Sequence, residues 1–109
     1  MRIYIAGFDV FRKDAVEYGS SCKNLCASLG IGALYPMDNE AEDAANIFRG
    51  NLALIDACDA VCANLNPFRG DEPDSGTCFE LGYAYAKGKK LYGYLSDPRA
   101  LRDKLGETD

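Results

Sequence analysis

Four short apolar runs alternate along this chain with longer stretches in which apolar residues recur every three or four positions. Arg2-Ile3-Tyr4-Ile5-Ala6-Gly7 is rich in β-formers and ends in glycine, which predicts a short buried strand. Over residues 12–29, Val16, Cys22, Leu25, Cys26 and Leu29 fall on one side of a helix that Gly30 and Gly32 stop. Ala33-Leu34-Tyr35 predicts a second strand before Pro36. Residues 41–57 predict a second helix with Ile47, Leu52 and Ile55 facing inward. A third strand follows over Asp59 to Leu65, then a polar loop from Asn66 to Ser75 containing Pro67, Gly70 and Pro73. The pattern closes with a helix from Gly76 to Lys87 ended by Gly88, a strand from Lys90 to Leu95, and a short helix over residues 98–105.

Strands alternating with helices of this length imply βαβ units, a parallel sheet and right-handed crossovers. The expected fold is therefore a flavodoxin-like α/β domain, an open doubly wound parallel sheet of four to five strands. With 109 residues the chain is long enough for one such domain, residues 1–109, and too short for two. No apolar run approaches the roughly 20 residues that span a bilayer, and no signal-peptide pattern precedes the first strand. A cytoplasmic protein with no membrane partner is expected. The net charge is -5, with no basic cluster beyond Lys87, Lys89 and Lys90, which argues against a nucleic-acid partner. A small, neutral or weakly charged substrate suits this balance.

The five cysteines carry less information than the absence of histidine. Cys22, Cys26, Cys58, Cys62 and Cys78 are odd in number and form no Cys-x-x-Cys pair, so they read as small hydrophobes and no metal is expected. Without histidine, acid–base or nucleophilic chemistry must rest on carboxylates, Tyr, Cys or Lys. Gly7 stands alone, without a Gly-x-Gly-x-x-Gly run, and no phosphate-binding P-loop occurs, so no cofactor is expected either.

In open α/β sheets, ligands bind beyond the carboxyl ends of the strands. Three loops leave those ends: Gly7-Phe8-Asp9-Val10-Phe11, Pro36-Met37-Asp38-Asn39-Glu40, and Asn66 through Gly76 with Phe68, Arg69 and Asp74. Together they carry aromatic rings, carboxylates and glycines, a set suited to a flat base with a polar edge plus a sugar. Glu80 lies in a helix start among small and apolar residues, between Gly76 and Gly82. It reads either as a first-turn glutamate favoured by the helix dipole or as a reactive carboxylate. Asp74 stands at the N-cap of the same helix, where capping alone would explain it. A rise of about 1.5 Å per residue puts these carboxylates roughly 9 Å apart at most, within reach of one nucleoside. Asn51 interrupts the apolar stripe Ile47–Ile55, so its amide needs either local partners or a ligand hydroxyl. Tyr4 reads as core, with its hydroxyl free to touch a buried carboxylate.

Taken in order, these runs resemble the nucleoside 2-deoxyribosyltransferase family. The resemblance rests on Ile3–Phe11, Leu34–Glu40, Asn51–Asp59, Asn64–Gly70 and Asp74–Ala84, and spans residues 2 to about 95. It implies transfer of 2-deoxyribose between nucleobases, with Glu80 attacking the anomeric carbon and retention through a covalent intermediate. It further implies that Asp74 hydrogen-bonds the base and protonates it as it leaves, and that Tyr4 orients Glu80. Asn51, at a position where some relatives carry aspartate, would lie near the sugar or base. Glu40, ending the Asp38-Asn39-Glu40 run, would lie near the base edge, and Phe8 and Phe11 would enclose the base. Gly7, Asp38, Phe68 and Gly76 complete the expected substrate-binding set. Phe8 departs from a proline common in relatives, which bears on base preference rather than chemistry.

The implied partners are deoxynucleosides and free nucleobases, and the implied assembly is a homodimer or larger homo-oligomer. Relatives continue for several dozen residues past the position of Asp109, with a tail that completes the sheet and lends an asparagine to the neighbouring subunit's site. The chain is accordingly read as a truncated form of the family domain, in preference to a shortened relative with impaired sugar binding, because the chemistry-bearing loops are intact. Two other readings stand beside transfer. One is hydrolysis of deoxynucleosides or their 5′-monophosphates, with Ser75 or Arg69 meeting the phosphate. The other is a nucleotide-binding module without turnover.

Overall fold

The computed structural model describes residues 1–106. Strands β1 (Arg2–Ala6), β2 (Gly32–Leu34), β3 (Ala60–Asn64) and β4 (Lys90–Tyr94) form one sheet in the order β2-β1-β3-β4. All pairings are parallel, with Tyr4 opposite Leu34 on one side and Val61 on the other. Helices α1 (Ala15–Ser28), α2 (Ala44–Asp56), α3 (Ser75–Ala86) and the short α4 (Leu101–Leu105) connect or follow them. This is the flavodoxin-like doubly wound arrangement expected, with four strands among the described residues. No helix among them is long and apolar enough to cross a membrane.

Strand alternation divides the sheet into two faces. Tyr4, Ala6, Val61 and Ala63 share one face and pack with Ile55, Cys58 and Ala84 into the core beneath α2 and α3. Asp43 caps α2 by accepting from the Asn46 amide at 3.0 Å, and Asp74 caps α3. α2 therefore begins at Ala44, three residues later than its apolar pattern suggested. Its inward side is Leu52 and Ile55, whereas Ile47 is exposed, at the amino-terminal end of the helix.

The opposite face corrects the reading of α1. Val16, Leu25 and Leu29 are 61, 65 and 68% exposed, while Ala15 and Gly19 are buried and Cys22 and Cys26 half-buried. Small residues at 15, 19, 22 and 26 form the contact stripe, which lets the helix lie close to its neighbours. A Cβ on Gly19 would stand 2.6 Å from the Tyr35 ring, so glycine is required there for close approach rather than for backbone freedom. All five cysteines are free thiols: Cys58 is buried, Cys22, Cys26 and Cys62 are half-buried, and Cys78 is exposed.

Candidate active site

Because β1 and β3 are neighbours while their connections run to opposite faces, a crevice opens between their carboxyl ends. Three segments converge on it. A tight turn over Phe8–Phe11 follows β1, a second over Pro36–Asp38 follows β2, and α3 starts beside the third. They enclose a cavity of about 220 Å³. Gly7, Val10 and Phe11 form one wall and Pro36, Phe48, Asn51 and Leu52 another. The α3 side supplies Asp74, Gly76, Phe79 and Glu80.

Glu80 is a partly buried carboxylate on the wall of this cavity. The Tyr4 hydroxyl, at 0% exposure for the residue, donates to Glu80 Oε2 at 2.7 Å. Oε1 receives no hydrogen bond among the described residues, and Glu80 lines the cavity. Burial raises the Glu80 pKa above the ordinary 4.5; the Tyr4 hydrogen bond opposes the rise and the charge of Asp74 adds to it. Tyr4 is itself raised, first by burial and then by the charge of Glu80, so it is a hydrogen-bond donor throughout the physiological range.

Asp74 does cap α3, and it also lines the cavity. Its Oδ2 accepts from the Thr77 backbone amide at 2.9 Å and from Thr77 Oγ1 at 3.0 Å. Its Oδ1 accepts nothing among the described residues, so capping occupies one oxygen of a carboxylate that also lines the cavity. Asn51 has a partner that neither reading anticipated: its Oδ1 accepts from Asn39 Nδ2 at 3.1 Å, while its own NH₂ has no hydrogen bond among the described residues and the residue lines the cavity. Asn39 is fixed in turn by the Ile47 carbonyl at 2.8 Å. Gly50 makes room for it, since a Cβ there would lie 2.4 Å from the Asn39 amide nitrogen.

Gly7, Phe11, Asn51, Asp74, Gly76 and Glu80 thus come together around one cavity, with Tyr4 beneath. Phe8 and Phe68 stand outside its lining: Phe68 stacks on Phe8 at 5.2 Å and on Phe11 at 5.4 Å, backing the aromatic wall. Asp38 and Glu40 are not brought to the cavity. Asp38 closes its own turn by accepting from the Tyr35 amide at 2.9 Å and pairs with Lys23. Glu40 is exposed.

Val10, Phe48, Leu52 and Phe79 line the cavity as well, although none of them is among the expected site residues. Helical spacing held the signal, because Gly76, Phe79 and Glu80, and likewise Phe48, Asn51 and Leu52, share a face at i, i+3 and i+4. Phe48 and Phe79 meet at 5.5 Å across the cavity mouth. No lysine or arginine lines this cavity. Arg69 and Ser75 lie in an adjoining recess of about 430 Å³, together with Glu72 and Asp74.

An α/β domain with two carboxylates at its switch point and a tyrosine beneath one of them defines a class of protein, and sequence comparison gives that class its name. A family profile described as nucleoside 2-deoxyribosyltransferase matches residues 3–108, and the chain belongs to that family. A solved 2-deoxyribosyltransferase from Leishmania mexicana is 45% identical with a TM-score of 0.87, covering 94% of this chain and 69% of its own. A CMP N-glycosidase from Clostridium botulinum is 21% identical with a TM-score of 0.65, covering 96% of this chain and 80% of its own, a likeness of fold. An uncharacterized protein of Schizosaccharomyces pombe is 34% identical over 94% of this chain; the chain spans 54% of that protein's length.

Proposed function

We propose that this domain transfers 2-deoxyribose between nucleobases through a covalent deoxyribosyl ester of Glu80. The observation that carries the reading is the Glu80 carboxylate on the cavity wall, one oxygen held by Tyr4 at 2.7 Å and the other without a hydrogen bond among the described residues. Glu80 Oε1 attacks C1′ as the C1′–N bond breaks, and the bonding pair leaves with the base. Asp74 Oδ1 stands on the same wall to hydrogen-bond that base and deliver the proton it takes up. A second base then attacks C1′ from the side the first one left, releasing Glu80. Two inversions give net retention, as in carboxylate-based retaining glycosidases.

The aromatic rim of Phe11, Phe48 and Phe79 suits a planar base, and the Asn51 NH₂ suits a sugar or base oxygen. The cavity has two carboxylates and no cation, and the α3 N-terminus is already occupied by Asp74, which disfavours a phosphate dianion there. Hydrolysis of a 5′-monophosphate is the second reading, favoured by Arg69 and Ser75 in the adjoining recess. Mass spectrometry after brief exposure to a 2′-fluoro-deoxynucleoside tests the proposal. A sugar adduct on Glu80, with exchanged nucleoside formed from a natural donor and a second base, is the expected result. Free sugar alone, with no exchanged nucleoside, would move the assignment to hydrolysis. No adduct and no turnover would leave a binding module.

A further inference from the structure

A row of polar side chains, buried at Asp9 and Asn64 and half-buried at Asn66, runs behind the aromatic wall, and the proposed chemistry uses none of it. Asp9 is 3% exposed and Asn64 5%, and polar groups so buried cost free energy unless paired. Asn64 Nδ2 donates to Asp9 Oδ2 at 3.1 Å and more weakly to Oδ1 at 3.4 Å. Asn64 Oδ1 accepts from the Asn66 backbone amide at 3.0 Å and from Asn66 Nδ2 at 2.9 Å. Asn66 Oδ1 accepts from the Ser96 amide at 2.8 Å. Four places are thereby joined: the turn after β1, the end of β3, the loop after β3 and the segment beyond β4. Gly7 is fitted to the row. Its φ is +151°, and a Cβ there would lie 2.8 Å from Asn64 Cβ and 3.0 Å from Asp9 Oδ2.

The row holds both sides of the aromatic stack. Asp9 lies between Phe8 and Phe11 in the turn, and Asn66 lies two residues before Phe68 in the facing loop. That loop ends at Asp74, on the cavity wall. We propose that Asp9 is a positioning residue which, through Asn64 and Asn66, sets the separation of these two loops and so governs how tightly the base is held. The inference rests on the transferase reading and adds to it the residues that fix base affinity.

The row has a direction. Asp9 only accepts, whereas Asn64 donates to Asp9 and accepts from Asn66. Asp9→Asn combined with Asn64→Asp therefore preserves the bonds of the row, giving up only the long 3.9 Å pair of Asp9 with the half-exposed Arg12: the amide now in the turn donates to the carboxylate now on β3, whose second oxygen still accepts from Asn66. Asn64→Asp alone sets two carboxylates face to face. Steady-state exchange kinetics on these variants and on Asn66→Ala test the proposal. Asn66→Ala is expected to raise KM for donor nucleoside and acceptor base about tenfold with kcat within about twofold, the mark of lost binding rather than lost chemistry. The paired substitution is expected to return KM to within about threefold of the native protein.

Wild-type KM in Asn66→Ala, or a fall in its kcat at constant KM, would overturn the proposal. So would a paired variant that fails to fold or stays tenfold impaired in KM. The native protein run alongside separates the two readings. Absence of exchange and of a Glu80 adduct there defeats the transferase reading, whereas their presence with an unmoved Asn66→Ala defeats only the positioning role.

Discussion

The two faces of the sheet send polar groups to the same rim by opposite means. On the α2–α3 face, Glu80 is desolvated with a single hydrogen bond among the described residues, from Tyr4. On the α1 face, Asn64 spends both ends of its amide on Asp9 and Asn66, and Asn66 passes the linkage on to Ser96. The first arrangement leaves a carboxylate oxygen without a hydrogen bond among the described residues; the second leaves a scaffold. A buried polar group with an incomplete set of partners points to chemistry, and one that shares its bonds with its neighbours points to construction.

Substitution at Glu80 draws the contrast most sharply. Glu80→Gln is expected to abolish base exchange by at least about a thousandfold while the protein stays folded. The raised pKa means the native state holds the Glu80 proton more tightly than the unfolded chain does. Its stabilising contribution is thus full below the ordinary 4.5 and is lost as pH rises through the raised native value. At pH 7 the ionised carboxylate is a burden, so Glu80→Gln is expected to melt no lower than the native protein. A thermal melt beside an exchange assay checks both halves.

Asp74→Asn is expected to slow expulsion of the base about a hundredfold. Asparagine caps helices as well as aspartate, so stability should change little. Because the Asp74 charge helps raise Glu80, the acid limb of kcat/KM should move to lower pH. Tyr4→Phe should cost about tenfold in kcat and move that limb the other way, since the lost hydrogen bond holds the Glu80 pKa down. Limbs that move together, or not at all, would break the assigned roles. The smallest effect on activity belongs to the α1 face. Gly19→Ala should cost about 1–3 kcal/mol in stability by crowding Tyr35, with turnover per folded molecule unchanged.

Much of this was legible in the sequence, and what was not has physical causes. Period and punctuation located every strand and helix, because glycine stops and Asp caps are local signals. The packing face of α1 was misread because it is built from Ala, Gly and Cys, which carry little hydrophobic signal, while Val16, Leu25 and Leu29 point to solvent. Tyr4, Asp74 and Glu80 were legible from their types and places. Asp38 was not, since only the fold reveals that the Tyr35 amide and Lys23 already hold it. Asp9 and Asn64 lay inside recognisable runs, yet their pairing joins residues 55 apart and no local pattern announces it.

The Tyr4–Glu80 hydrogen bond closes across 76 residues of chain. Tyr4 lies on a strand hydrogen-bonded on both sides, to β2 and to β3, and Glu80 belongs to the helix laid down after them. Contacts this distant in sequence carry loop-closure entropy that only an assembled sheet repays, which makes parallel folds slow to form. No hairpin-sized portion of the chain can pair the two residues early. Recovery of the proposed turnover after dilution from denaturant should therefore lag behind recovery of helical signal, which would make that reaction a clock for the last step of folding.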